Sequence, residues 1–563
     1  MQPSRAEGSA PGSSLFGSSP VRTSLLWSPL LAISLAAFAV EVPFFFLGTP
    51  SGHDVEFHLY SWLEVLGQWR LGIIFPRWAS LANFGCGEPR FLFYPPASWT
   101  LGAVLSAIFP WTLVSCVYIW IALVAAGASM FLLVRRWLSR RDAIFAAVFY
   151  AANPYHMVIV YWRSAFAELL ASCLLPLLLL LILKAADGER RVMLPLSLVL
   201  AAAWLTNAPA ALMVHYSLAL LILFLAWRTR SACMLTVGAG AVVLGACLAA
   251  FYLLPAIYEQ RWVNIAGAIG GGLRPQDGFL FTRTTDADHD NFNRLVSWVA
   301  VSEMVVVLIV AWTAKKLRAT DRGRRDVLAV WSAACTALMF PVTSVLWRVL
   351  PKLQFMQFPW RWLLCLSLCC SLFVAIGISG WWQRVTIYLA MLTILLIAGW
   401  RFQPPWWDQP ADLREMQDNM ATGAGYEGVD EYTPVGAEPS ALVQDDTSKV
   451  RIAGTAQGAV HIDAWKPESK IFTAEMSGPD QLALRLFPYP AWRVEVNGQV
   501  VETAAGDADG QMLVPVTAGS NRVEITLVRT WDRTVGGWIS LATAVCVIFW
   551  LMLMRRRENP VQV

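Results

Sequence analysis

The sequence predicts a mainly α, polytopic membrane protein: a transmembrane helix bundle of about 12 spans with a small C-terminal β-sandwich on the outer face. Three observations predict it. Of 563 residues, 57% are hydrophobic and only 15% charged, with a mean hydropathy of +0.51, which excludes an ordinary soluble enzyme. Apolar runs close to the ~20 residues that a bilayer requires recur along the chain. Between residues 440 and 530 the pattern changes to short alternating apolar and polar runs. The net charge of +4 is too small to point to nucleic acid.

The first element is a polar leader, 1–24, followed by an apolar run at 25–47. That run exceeds the apolar core of a cleaved signal, so it reads as a retained anchor. Further spans are expected at 111–134, 143–160, 166–185, 192–209, 210–227, 233–256, 296–314, 327–346, 361–379, 385–401 and 536–554. Asn207-Ala208-Pro209 is the natural break within the long stretch 192–227. Twelve spans put every basic cluster on one side: Arg135-Arg136, Arg140-Arg141, Arg190-Arg191, Arg228 with Arg230, Lys315-Lys316-Leu317-Arg318, Arg322 with Arg324-Arg325, and Arg555-Arg556-Arg557. Short Lys- and Arg-rich loops stay cytoplasmic, so both termini are expected there.

The outer segments are then 48–110, 257–295 and 402–535, with short links near 154–166 and 347–360. Residues 25–401 form the transmembrane domain with its outer loop 48–110, and 536–563 the last helix and a basic tail. The run 97–110 is too short to span and is expected along the membrane surface. Nine of the ten cysteines fall in predicted spans, the exception being Cys86, and 402–535 has none. A disulfide framework is therefore not expected, which suits a bacterial inner (plasma) membrane. Within 440–530, Asn497-Gly498 between "WRVEV" and "QVVE" signals a two-residue hairpin, because both turn positions need positive φ. This outer unit reads as a lid or spacer, or as a module contacting carbohydrate or acceptor.

Three outer loops carry the chemistry. "SGHDVEFH" places His53, Asp54, Glu56 and His58 at the mouth of the first span. Extended, Asp54, Glu56 and His58 share a face; helical, Asp54 and His58 do. Two carboxylates with an imidazole suit Mg or Mn, so these three are the candidate metal ligands; a solvated loop is the plainer alternative. "YWRSAFAELL" sets Arg163 and Glu168 at the edge of hydrocarbon, where a carboxylate needs a partner or a polar cavity. A five-residue spacing on one helix is poor for a direct pair, so Glu168 is expected in a cavity shared with the first loop. "WRVLPKLQFMQFPWRWL" carries Arg348, Lys352 and Arg361 on a side that short loops usually keep free of positive charge. A lipid headgroup or a lipid-linked phosphate would supply the anion. Gln357 and Trp360 complete the candidate substrate-binding set with Arg163, Arg348, Lys352 and Arg361. Trp360 and Trp362 suit either the membrane interface or stacking on a sugar.

An acidic motif after the first membrane helix, with a second acidic residue in the next outer loop, resembles the GT-C superfamily of membrane glycosyltransferases. "FLFYPPASW" resembles the Pro-Pro-x-x-Trp stretch of related transferases. More closely, "GHDVEFH", "YWRSAFAELL", "QFPWRWL", "GVDEYTP" and "YPAWRVEVNG" resemble a family of large bacterial multi-pass proteins labelled 6-pyruvoyl-tetrahydropterin synthase-related. The GT-C resemblance implies a sugar taken from a polyprenyl-phosphate donor on the outer face and passed to an envelope glycan, lipid or protein. It makes Asp54 the candidate base or metal-linked carboxylate. Glu168, the second catalytic candidate, stands where the superfamily often has Asp, and Asp54-Val55-Glu56 stands where it shows Asp-x-Asp, Glu-x-Asp or similar pairs. Pterin chemistry would need a compact zinc site of three histidines; the six here, at 53, 58, 156, 215, 289 and 461, form no such cluster in sequence. The rivals are a transporter or flippase for lipid-linked glycans and a non-catalytic assembly factor. A transporter favours ionisable groups near the midplane, and Glu303 is the clearest of the few.

Overall fold

The computed structural model describes residues 21–313, 322–442 and 448–558. Residues 1–20 of the leader and the Lys315–Arg318 cluster lie outside them, as do the side chains of Arg555, Arg556 and Arg557. Among the described residues, nine helices are long and apolar enough to cross a membrane: Ser28–Leu47, Trp111–Val134, Arg140–Arg163, Phe166–Ala186, Ala208–Thr229, Ala287–Thr313, Pro359–Gly377, Trp381–Phe402 and Trp531–Met554. Two bent pairs raise the number to 11: Ala232–Leu248 with Ala250–Trp262 at 79°, and Gly323–Leu338 with Pro341–Val349 at 90°. The second bend has a local cause. Phe340 precedes a proline, which excludes the helical region, and it is extended at φ −109 and ψ 149.

The twelfth expected span, 192–209, is a helix of only 14 residues, Met193–Thr206, short for a bilayer, yet Asp187 before it and Arg228 after the next helix both meet residues 324–326, so the two helices run out and back between the same ends. The first of them stops at Asn207, whose side-chain oxygen accepts from Ala210 N at 2.9 Å and starts the next helix. Glu303 lies within the helix Ala287–Thr313. Its carboxylate is fully buried and accepts from Ser367 Oγ at 2.7 Å.

The basic loops meet at one end of the bundle. Arg136 and Lys184 pair with Glu189 at 3.0 and 3.1 Å, Arg324 approaches Asp187 at 3.8 Å, and Arg384 pairs with Asp142 at 2.6 Å. Arg140 donates to Ser28 Oγ at 2.8 Å, and Arg228 pairs with Asp326. The helix Pro359–Gly377 is the most enclosed of the spans, with 94% of its apolar window buried. It packs against Ala287–Thr313, Arg140–Ala151 and Arg322–Leu338, and its first turn carries Arg361.

The opposite end carries the outer structure. A short ribbon pairs β1 (Thr49–Pro50) antiparallel with β2 (Trp407–Asp408). The C-terminal unit is a sandwich of β3 (Val450–Ile452), β4 (Gly458–Lys466), β5 (Ser469–Met476), β6 (Asp480–Leu484), β7 (Trp492–Val496), β8 (Gln499–Val500), β9 (Ala504–Ala505), β10 (Met512–Val516) and β11 (Gly519–Leu527). One sheet runs β3-β6-β10-β9 and the other β4-β5-β11-β7-β8. Alternate residues such as Leu482, Leu484, Val494, Val514, Val523 and Ile525 fill the space between them. The β7–β8 turn has φ of 52 at Asn497 and 77 at Gly498, the left-handed pair that this dipeptide supplies.

The sandwich core is not made of its own strands alone. Trp78, Cys86, Leu92 and Phe93 of the first outer loop belong to it. Arg77 pairs with Glu468 at 2.6 Å, and Glu259 binds Arg533 through both oxygens at 2.6 and 2.7 Å while accepting from Tyr489 at 2.5 Å. The stretch 97–110 folds as the helix Pro96–Ile108. Trp99 and Ala103 are buried on its inner face and Ile108 is 67% exposed, so one side is core and the other faces outward.

The charge distribution fixes an expected topology. In a cysteine-less background, Glu502→Cys should react with a membrane-impermeant maleimide in intact cells. Thr229→Cys should react only after permeabilisation. The reverse pattern would invert the assignment of faces.

Candidate functional site

The centre begins with a docked loop. The helix from Pro154 passes into a single π turn, Ile159–Arg163, and stops at Ser164, which is left-handed at φ 49. Residues 50–54 lie across this stop. Ser164 Oγ accepts from Gly52 N at 2.9 Å and donates to Pro50 O at 3.0 Å. Asp54 N donates to Arg163 O at 2.9 Å, and His53 N to Trp162 O at 3.3 Å. A Cβ on Gly52 would sit 2.5 Å from the Arg163 carbonyl carbon, so only glycine permits the approach.

The stop also turns the chain back on itself, and a new helix, Phe166–Ala171, starts two residues on. Arg163 Nη1 therefore meets Glu168 Oε2 at 2.5 Å. This corrects the spacing argument, which holds for one continuous helix and fails for a helix broken at Ser164. Arg163 Nη2 reaches Asp54 at 3.2 Å, so one guanidinium bridges both acidic residues. Glu168 also accepts from Tyr155 OH at 2.7 Å, and Arg361 Nε lies 3.3 Å away. Glu168 is thus enclosed by its partners and does not open onto a cavity. Its side chain is 1% exposed, against 39% for Asp54.

Arg361 arrives from the central helix. Its Nη1 donates to Met356 O at 2.7 Å and to Gln357 Oε1 at 3.1 Å. Its buried Nε faces Glu168 off the hydrogen-bond direction and has no hydrogen-bonded partner among the described residues. Trp360 is 2% exposed and lies under the Arg163 guanidinium at 5.0 Å, stacked on Phe358 at 4.8 Å. Trp360 and Trp362 are both buried in the core. Arg348 and Lys352 stay on the exposed rim, Lys352 Nζ contacting Gln260 at 3.4 Å, and neither touches the Arg163–Arg361 centre.

Asp54, Glu56 and His58 do not converge. The segment is helical from Val55, with Asp54 at its N-cap. Glu56 is exposed; desolvation, then the carboxylates of Asp408 and Glu427, raise its pKa. His58 points inward among Trp62, Tyr94 and Phe166, with Nδ1 2.7 Å from Tyr94 OH. Burial pushes its imidazole down to about 4. Among the described residues no three His, Cys, Asp or Glu side chains gather closely enough to hold a metal ion. The ligand set does not fit a protein-held Mg or Mn.

Two features had no signal in the sequence. Tyr155 sits 13 residues before Glu168 and meets it only because the chain reverses. Arg90, 1% exposed, pairs with Glu88 at 2.7 Å and lies over the rings of Phe57 and Tyr426. Glu88 in turn accepts from Val429 N at 2.9 Å, and Tyr432 stacks on Phe93 at 5.8 Å. The "GVDEYTP" segment is thereby held against the helix that Asp54 begins.

A family model described as 6-pyruvoyl-tetrahydropterin synthase related domain, a membrane protein, matches residues 91–403. No curated protein matches the chain. Similar solved structures include the apo oligosaccharyltransferase of Archaeoglobus fulgidus, with a TM-score of 0.41 and 13% identity over 68% of this chain and 56% of that one. ArnT from Cupriavidus metallidurans, bound to undecaprenyl phosphate, gives 0.38 and 12% identity over 72% of this chain and 64% of its own. The chain thus spans less than two thirds of either neighbour, and a likeness of this size carries no argument about chemistry.

Two stability predictions follow from the burial. Glu168→Gln leaves two buried guanidinium groups with one carboxylate fewer, and should cost about 3–5 kcal/mol of stability. Asp54→Asn, at a half-exposed site, should cost less than about 1 kcal/mol. Thermal unfolding of both variants in detergent checks the contrast. The His58 pKa is lower folded than unfolded, so the unfolded chain binds more protons between pH 6.5 and about 4. Stability should fall as pH drops through that window, and His58→Asn should flatten the fall. An unchanged slope would exclude His58 as its source.

Proposed function

The chain belongs to the family of membrane proteins with a 6-pyruvoyl-tetrahydropterin synthase related domain, and we propose that it acts as a GT-C-type glycosyltransferase. It would move a sugar from a polyprenyl-phosphate donor to a cell-envelope acceptor at the outer face of a bacterial plasma membrane, with both termini cytoplasmic. One observation carries the proposal: a half-exposed carboxylate, Asp54, stands beside two buried arginines that share a buried glutamate. The pterin chemistry in the family's label finds no support in the side chains, since no metal-holding group of three exists among the described residues.

The roles follow from exposure and charge. Asp54 is the acidic member that solvent reaches, so it is the proposed base. The acceptor hydroxyl attacks the anomeric carbon and gives its proton to Asp54. The bond from that carbon to the phosphate oxygen breaks, its electron pair stays on the phosphate, and the anomeric configuration inverts. Negative charge gathers on the leaving phosphate. Arg361 and Arg163 are the proposed donors that support its binding and departure. Glu168 is a positioning residue. Its charge lets two guanidinium groups remain buried together, and Tyr155 fixes its other oxygen. No step is assigned to a divalent ion, because Glu56 and His58 do not join Asp54.

Transfer from a polyprenyl-phosphate sugar to envelope material, in membranes of equal protein content, tests this. Asp54→Asn should lower the rate by about 10²–10⁴-fold while insertion stays normal. Arg361→Ala should weaken donor use by about ten- to a hundredfold, the loss of one charge-assisted contact. Chelation should leave the wild-type rate unchanged. Full activity in Asp54→Asn would sink the transferase reading and favour transport or a non-catalytic assembly role.

A further inference from the structure

Gln357 has an unusual backbone and a fully committed side chain. Its φ of 64 and ψ of −72 place it at the centre of a tight γ-turn, closed by Phe358 N donating to Met356 O at 2.8 Å. For a residue other than glycine this conformation is rare and strained. The same Met356 carbonyl accepts from Arg361 Nη1 at 2.7 Å. Gln357 Oε1 accepts from that nitrogen too, at 3.1 Å, while its Nε2 donates to Ala268 O at 2.9 Å.

Ala268 lies in the turn Ile265–Ile269 of the outer segment that follows Trp262. That segment is fastened on its far side to the "GVDEYTP" stretch: Asn264 N donates to Thr433 O at 2.9 Å, and Val263 bridges to Pro434. Gly278, farther along, packs against Phe358 and Pro359. A single amide thus joins a segment held by the outer domain to the guanidinium at the start of the central helix.

We infer that Gln357 is a positioning residue that couples the 263–278 segment to Arg361, so that the outer domain sets where this guanidinium points. The consequence for catalysis rests on the transferase reading; the coupling itself does not. A glycine would occupy φ 64 without strain, so glutamine is there for its side chain.

The test uses Gln357→Gly, Gln357→Ala and Gln357→Glu in the full-length protein. Amide hydrogen exchange over 265–270 should quicken in all three, because each loses the donor to Ala268 O. Gln357→Gly should unfold at a temperature no lower than Gln357→Ala, since it relieves the turn. Both should raise the KM for a polyprenyl-phosphate sugar about tenfold with little change in kcat, the size of one lost charge-assisted bond. Gln357→Glu keeps an acceptor for Arg361 but loses the donor to Ala268 O, so it should raise the donor KM as well, and a wild-type KM in it would overturn the coupling. Unchanged exchange over 265–270 in the Gly and Ala variants would overturn the coupling, as would a wild-type KM in both. A wild-type protein that transfers nothing, with exchange still quickened in the variants, would instead remove the transferase reading and leave the coupling standing.

Discussion

The outer face of the bundle depends on one guanidinium. Arg163 is almost fully buried, yet it touches the carboxylates of Asp54 and Glu168 from opposite nitrogens. A lone charge at that depth would be very costly. Two carboxylates offset it, and a third partner, Arg361, then becomes tolerable beside Glu168. The arrangement is possible because the chain stops its helix at Ser164 and lets the backbone of 50–54 lie on the stop. Remove the stop and Glu168 rotates away from Arg163. The acidic loop then has no surface to dock on.

The legible and illegible parts of this protein divide along a physical line. Hydrophobic runs, basic clusters and the Asn497-Gly498 turn are local signals, and they placed most membrane helices, the sandwich and its hairpin. The shortness of Met193–Thr206 and the bend at Pro341 shifted the span count, because hydropathy does not register where a helix breaks. The residue types at the centre were also visible, since Asp54, Arg163, Glu168 and Arg361 stand out against an apolar background. Their pairing was not. It depends on the left-handed Ser164 and on the helical start at Val55, which turned His58 inward and left Glu56 outside. Tyr155 and Arg90 were silent for the same reason: each becomes significant only through a partner that tertiary folding supplies.

Burial also sorts the tryptophans. Trp360 and Trp362 look like interfacial anchors in one dimension, yet both lie inside the bundle. Rings such as Trp227, Trp312, Trp382 and Trp400, at 77%, 79%, 78% and 82% exposed, are the ones on outward faces of the spans. Charge density marked the right loop, but aromatic content alone did not say which rings faced outward.

The shared core of the sandwich and the first outer loop bears on how the molecule comes into being. Arg77 and Glu468 meet across 391 residues, and Trp78 and Phe93 fill a core whose strands are made last. During synthesis the early loop reaches the outer side long before its partner strands exist. It must wait there with large apolar side chains uncovered, and contacts of such long sequence separation form slowly. Completion of that end of the bundle is therefore a late event, possible only once the strands from Val450 to Leu527 have been made.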